Sequence, residues 1–319
     1  MATLNLAYMQ QVSKGLSKVF NDTLLGKAGD YEKIATVIRS NTLSTDYSWI
    51  ADLPNMREWV GERQLNELSA NLYSIARKKW ESTIQVERDV IEYDNLGIVK
   101  PRIQAMAEGV MAHYDDLIFG LLESNGACYD GKTFFHAQHA VGTKTFSNLY
   151  ALPLTQTNLL NMRMQMRKIT GDYGHPLRII PNLLVIPPEL ESTAITLLKM
   201  QYLTNGTSNP TYNILDYYVC DRLTDANGWY LMDTTKTLKP LLLQVNRDVE
   251  FAALDNPTDE KVFMLDKFLY GTRCEDNAGY GLWQLAAKST TTVPTPAAAT
   301  TGTTATTGTT ATTGTTATK

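Results

Sequence analysis

Neither sign of charge dominates this chain, and its cysteines are too few and too scattered to frame a fold. Against 29 Lys and Arg stand 33 Asp and Glu, a formal net charge of −4. A protein that neutralises many phosphates carries a basic stripe or tail. The chain shows neither, which excludes a polycationic nucleic-acid binder. The three cysteines, Cys128, Cys220 and Cys274, lie far apart and form no CxxC pair. That excludes a disulfide framework and fits buried free thiols in a reducing compartment. No apolar run approaches the ~18–20 residues of a membrane span. The start, Met1 to Gly15, breaks its apolar residues with Asn, Gln and Ser, unlike a secretory signal. The expectation is a protein made and kept in the cytosol, or in something assembled there, with no membrane partner.

The motifs of catalysis are missing as well. No G-x-x-x-x-G-K-[ST], G-x-G-x-x-G, H-E-x-x-H or G-x-S-x-G occurs. With only four histidines, general bases are scarce. The nearest approach to a metal site is Cys128-Tyr-Asp-Gly131 followed by His136-Ala-Gln-His139. Two histidines three apart can share a helix face, and zinc accepts a thiolate beside them. These residues follow a helix stop in a Gly- and aromatic-rich loop, so a hydrogen-bonded loop is expected there and neither metal nor cofactor. A metalloenzyme built on Cys128, His136 and His139 is kept as a remote alternative. Asp115 and Asp116 are adjacent in a helix and point different ways, which reads as a solvated polar edge.

What is present is an ordinary globular composition, 43% apolar and 19% charged, over 319 residues. That suffices for one large mixed domain or two intimate ones. Leu6, Met9, Leu16 and Phe20 recur at helical spacing and predict a helix over 5–25, with a short second one through Ile34, Val37 and Ile38. Residues 72–94 differ. Ile84 and Val86 alternate with Gln85 and Glu87 at strand period, and Arg77, Lys78, Lys79, Glu81, Glu87, Arg88 and Asp89 crowd both signs of charge into the segment. An extended ribbon with few large apolar groups is poorly stabilised alone and needs a partner surface. A long helix is expected next, with Pro101 at its first position and Asn125-Gly126 as its stop. A helix over 157–170, a buried strand Leu183–Ile186 and a helix opening at Pro187-Pro188 follow. Strands are then expected at Tyr217–Cys220, Trp229–Met232, Leu241–Val245, Val262–Met264, Lys267–Tyr270 and Tyr280–Ala286, the first two joined by the turn Asp225-Ala-Asn-Gly228. The fold class is α+β, with helices early and an antiparallel sheet late. From Ser289 the chain is low in complexity, and the hexad Thr-Thr-Gly-Thr-Thr-Ala repeats three times from Thr300. Such a segment cannot offset its ordering entropy and is expected to be a flexible tail.

A set of ordered motifs adds a family. Asp46-Tyr-Ser-Trp49, Pro54-Asn-Met-Arg-Glu-Trp-Val-Gly-Glu-Arg63, Tyr73-Ser-Ile-Ala-Arg-Lys-Lys-Trp-Glu81, Val90-Ile-Glu-Tyr-Asp94, Cys128-Tyr-Asp-Gly-Lys-Thr-Phe-Phe-His136, Pro181-Asn-Leu-Leu-Val-Ile-Pro-Pro188, Trp229-Tyr-Leu231 and Tyr280-Gly-Leu-Trp283 occur in one order. Together, from about residue 30 to 287, they resemble the Mu-like phage major head (capsid) subunit family. The resemblance implies the tailed-phage and herpesvirus capsid fold: an N-terminal arm (1–60), an extended loop (61–100), a peripheral domain with a long spine helix (101–153 and 240–288) and an axial domain (154–239), with the tail (289–319) outside it. It implies a structural protein, not an enzyme, that assembles with itself into the pentamers and hexamers of an icosahedral shell. The shell would be built in the bacterial host cytoplasm around double-stranded DNA held without sequence readout. Further implied partners are a portal protein and a separate scaffolding protein, since no coiled-coil segment precedes the arm; a decoration protein is a possible addition. Arg77, Lys78, Lys79, Trp80, Ile84, Val86 and Arg88 on the loop are the expected inter-subunit contacts. A nanocompartment shell of the same fold is the alternative.

Overall fold

A computed structural model describes residues 6–47, 73–93, 96–171, 174–203 and 206–291. The two longest helices lie against each other. Helix α1, Leu6–Gly26, buries Met9, Val12, Leu16 and Phe20, one residue per turn of a single stripe. It packs on α3, Leu96–Ser124, a 29-residue helix roughly 43 Å long at ~1.5 Å per residue. Val99, Ile103, Met106, Val110, Tyr114, Ile118 and Leu122 form the buried face of α3. Pro101 does not open this helix; it stands in the second turn. Its missing N–H costs one intrahelical bond near the end, where the helix gives up least. The stop falls where the spacing places it. Asn125 takes a left-handed φ of 43°, and its side chain both donates to and accepts from the Phe135 backbone.

After a short 3₁₀ turn, Asp30–Lys33, the chain enters a strand, β1 (Ala35–Arg39), instead of the expected second helix. Ile34 and Ala35 are buried while Val37 is exposed, and the backbone pairs in parallel with β11 (Leu241–Leu254). A tertiary partner strand overrides a weak local helical period. With β12 (Lys267–Tyr280) and β4 (Lys78–Glu87) these make a sheet of order β1-β11-β12-β4, in which β12 is antiparallel to both neighbours. Phe268, Tyr270, Thr272, Cys274 and Asp276 alternate into the buried face of β12, the face that meets α3. The other face carries ions: Glu275 pairs with Arg77 at 2.5 Å and lies 4.0 Å from Arg247, and Glu250 pairs with Arg273 at 3.1 Å. A small ladder, β2 (Ser44–Asp46) with β3 (Ser74–Ala76), joins β1 to β4, and α2 (Arg88–Glu92) joins β4 to α3.

The expected strand Val262–Met264 is instead a helical turn, α6 (Glu260–Leu265), at the tip of the β11–β12 hairpin. Asp259 caps it by accepting from the Lys261 N–H, and Asp266 ends it in the left-handed region, φ 49°. Those cap residues outweigh three apolar residues in a row.

A second sheet has the order β7-β13-β10-β8-β9, formed by Leu149–Tyr150, Ala286–Ser289, Trp229–Met232, Leu183–Ile186 and Asp216–Val219. The central strands β8 and β10 are buried throughout, hence their unbroken apolar runs. The turn at Asp225–Gly228 forms, with the Gly228 N–H donating to Asp225 O at 3.0 Å. Its flanking strands do not pair as a hairpin, however. α5 (Glu191–Leu198) carries the chain from β8 to a parallel β9, so β10 must take the opposite side of β8. The sheets are therefore mixed, not purely antiparallel. The tail begins later than composition suggests: Ser289 and Thr290 are buried, and Thr290 bonds Tyr150 O and Asp225. A third small ladder, β5 (His139–Val141) with β6 (Lys144–Phe146), closes the loop after α3. Helix α4 (Gln156–Arg167) starts on a Thr155 cap.

One polar contact corrects the reading of the acidic pair on α3. Asp115 is buried, accepts from the Tyr31 N–H at 2.7 Å and lies 3.6 Å from Arg222; Asp116 pairs with the same Arg222 at 2.5 Å. The pair is a junction between the arm, the spine helix and the second sheet, not a solvated edge. Burial raises the Asp115 pKa against the lowering effects of the Tyr31 N–H and Arg222.

Candidate inter-subunit surfaces

Among the described residues, strand β4 is an edge strand, bonded to β12 on one side only. An open edge is a template for another chain unless charge or cover blocks it. The structure divides the seven expected contact residues into two groups. Val86 is 2% exposed inside its own subunit. Strand alternation points it at the spine helix, not outward. Ile84 is half-buried against the same core. Trp80 places its ring 4.5 Å from that of His113 and donates to Asp276 O, and Arg77 is held by Glu275. By contrast, Lys78 and Lys79 are exposed and Arg88 half-exposed, with no ion pair among the described residues. The motifs from Trp49 to Arg63 lie outside the described residues.

Sequence reasoning missed an apolar tip. Phe263, Met264 and Leu265 on α6 are 76%, 75% and 50% exposed. Tyr93 and Ile98 are exposed at the same end of the sheet, where the Arg88 N–H donates to Asp266 O. Large apolar side chains clustered in water signal contact with another molecule. The signal is present in the sequence, as the four-residue apolar run Val262–Leu265 between Asp259 and Asp266. Helix α4 exposes Leu160 and Met164, which line one shallow surface with Arg163, Arg167 and Lys168.

The loop after α3 holds no convergent metal donors. Cys128 Sγ is 3.8 Å from Gly281 O, His136 Nδ1 accepts from the Gln138 N–H at 3.0 Å, and His139 Nδ1 bonds Asp130 at 2.5 Å while its ring stacks on Trp283 at 4.0 Å. Burial, then Asp130, pushes the Cys128 thiol up to about 12, which leaves it unreactive. Burial raises the Asp130 carboxyl, but the hydrogen bond and charge of His139, with Lys132, outweigh it and hold Asp130 below its ordinary value. Asn148 ties the loop down: its amide donates to Phe134 O, Trp283 O and Ala286 O, and its oxygen accepts from His136 N–H. No helix among the described residues is long and apolar enough to cross a membrane.

A long spine helix laid on a sheet with a charged edge strand, together with a second mixed sheet, is the architecture of a shell-building subunit. Solved structures agree. The procapsid of bacteriophage JBD30 matches with a TM-score of 0.62 and 31% identity, over 91% of this chain and 77% of that one. The JBD30 capsid matches at 0.53 and 26%, over 69% and 99%. A virus-like particle from Pyrococcus furiosus, 14% identical with a TM-score of 0.51 over 87% and 99%, shares the fold.

The family follows. The model of the Mu-like prophage major head subunit gpT matches residues 9–152, 149–223 and 219–316. Its match runs on into the repetitive tail, beyond the range of the sequence motifs. The Mu-like prophage FluMu major head subunit of Haemophilus influenzae is 31% identical over 90% of this chain and 74% of its own length. The major capsid protein of Escherichia phage Mu is 31% identical over 84% and 69%. The chain belongs to the Mu-like prophage major head subunit family: it is a major capsid protein, a structural component of the virion that associates with itself into a shell, and not an enzyme. Membership at this identity does not favour the nanocompartment reading, and the divergent donors of Cys128, His136 and His139 remove the support for the metalloenzyme.

Proposed function

We propose that shell contacts are made by three surfaces of the subunit: the open β4 edge with Lys78, Lys79 and Arg88, the apolar tip Phe263–Leu265, and the exposed face of α4. The single observation behind this reading is the tip. Three large apolar side chains stand in water at the end of a hairpin whose strands are each 14 residues long. Burying them on a neighbour would contribute about 1.5–3 kcal/mol per side chain, repeated at every subunit of a closed shell. Mixed charges along β4 then set register more than affinity.

In this reading residues 1–60 are the arm, 61–100 the extended loop, 101–153 with 240–288 the peripheral domain, and 154–239 the axial domain around five- and six-fold axes. Two details refine those limits. β4 is built into the sheet of 240–280, and β13 is built into that of 183–232. Assembly takes place in the host cytoplasm on a separate scaffolding protein, with a portal at one vertex, and the shell encloses double-stranded DNA without reading its sequence. One solved JBD30 capsid is decorated with minor capsid protein trimers, which supports a decoration protein here. The Thr/Gly/Ala tail from about residue 291, which carries no charged side chain before Lys319, is displayed outside, since it offers little attraction to packaged DNA. Protease treatment of intact particles tests the tail: removal supports display, and full protection refutes it. The test of the surfaces is co-expression of the Phe263→Ser/Met264→Ser variant with the scaffold. Folded subunits without shells support the tip contact, and normal shells overturn it.

A further inference from the structure

Of the buried side-chain polar atoms without a hydrogen-bond partner among the described residues, three lie on β12: Tyr270 Oη, Thr272 Oγ1 and Asp276 Oδ2. Thr272, Cys274 and Asp276 alternate along one face of the strand. They are 6%, 6% and 0% exposed. Opposite this face runs α3, and His113 Nε2 lies 3.1 Å from Asp276 Oδ1. One donor atom each from His113, Cys274 and Asp276 lies within 4.8 Å of the other two. A cavity of about 270 Å³, lined by Trp80, Met106, His113, Thr272 and Cys274 among others, reaches the cluster.

A fully buried carboxylate is costly unless a positive charge and hydrogen bonds meet it. The basic group paired with Asp276 among the described residues is His113, and an imidazole carries charge only when protonated. One oxygen of the carboxylate is then left unmatched. A divalent cation satisfies both needs. The donor set selects its class: thiolate, imidazole and carboxylate together suit zinc and its borderline neighbours, whereas magnesium and calcium require a shell of oxygens. Bond lengths of about 2.0–2.3 Å at a tetrahedral ion place donors roughly 3.3–3.8 Å apart; His113 Nε2 and Asp276 Oδ1 stand at 3.1 Å, and all three donors lie within 4.8 Å of one another.

We propose that His113, Cys274 and Asp276 form a zinc-class metal site that fastens the spine helix α3 to strand β12. His113 lies more than 160 residues from Cys274 and Asp276, which stand two apart on β12, and the site is distinct from the loop of Cys128. Metal entry displaces the thiol proton to solvent. Burial and the Asp276 carboxylate raise the Cys274 thiol far above its ordinary value, so without metal it stays protonated.

The test uses purified full-length subunit, stripped with chelator and titrated with zinc and with cobalt(II). The expected result is about one equivalent of zinc per subunit and, with cobalt, a thiolate-to-metal charge-transfer band and a higher Tm. Cys274→Ser abolishes the band, and His113→Ala or Asp276→Asn weakens binding at least ~10-fold. The proposal is overturned if wild-type protein with an intact fold binds no zinc and gives no cobalt band. It is equally overturned if the band survives Cys274→Ser and disappears in Cys128→Ser, which would place the metal in the loop after α3.

Discussion

Tyr280 Oη accepts a hydrogen bond from the Gly126 N–H at 2.6 Å and donates to Leu121 O at 2.9 Å. The last residue of β12 thus helps cap the C-terminus of the spine helix, adding to the Asn125 N–H that Leu121 O also accepts. A Cβ at Gly126 would sit 3.1 Å from the Tyr280 ring, a tight contact that the ring would have to yield to by a few tenths of an ångström. Tyr280→Phe keeps the ring stacked on Phe134 and removes only the hydroxyl. The expected loss is about 1–3 kcal/mol of subunit stability, measured by denaturant unfolding of unassembled protein.

The two groups on β4 should separate by assay. Val86→Ala empties a buried site and costs about 1–3 kcal/mol of subunit stability. Lys78→Glu with Lys79→Glu leaves the unfolding midpoint nearly unchanged and lowers shell yield instead, as scored by sedimentation. Equal stability losses in both variants would erase the distinction between inner and outer contacts.

The apolar tip carries a simpler expectation. A polar residue at Phe263 leaves the far-ultraviolet circular dichroism of the subunit unaltered and raises its solubility, because a 76% exposed phenylalanine contributes little to its own fold. Aggregation of wild-type subunits freed from shells should fall in the variant.

Acid should release the loop after α3. Asp130 has a folded pKa below its ordinary 3.8. Its stabilising contribution is therefore complete above that ordinary value and is lost as pH falls through the lower, folded one. Asp130→Asn should be less stable than wild type at neutral pH, and the gap should close below about pH 4. A gap that persists unchanged in stronger acid would show that the His139 pairing is not its source.

The sequence revealed long periodic elements well and pairing poorly. The stripe of Met9, Val12, Leu16 and Phe20 and that of Ile103, Met106 and Val110 were legible because a helix closes its own hydrogen bonds. The sites of β8 and β10 were legible because both strands are buried on both faces. What failed depended on partners far along the chain. Ile34 to Ile38 became a strand because β11, two hundred residues later, offers an edge. Trp229–Met232 pairs with β8 and β13, not with the strand before it. Phe263–Leu265 turned into a helix because Asp259 and Asp266 cap it. The charged ribbon was legible as an open edge, yet its inward face was not. Val86 and Trp80 turn toward α3 by strand alternation, a fact that needs the register with Phe268 and Cys274. His113, Cys274 and Asp276 gave no signal, since more than 160 residues separate the helix from the strand.

The most direct measurement is electron microscopy of the chain co-expressed with its scaffolding protein, with the particle fraction analysed by mass spectrometry. Closed shells whose main component is this chain are the expected result. Small oligomers alone, from folded protein in the presence of scaffold, would contradict its role as the shell-forming subunit.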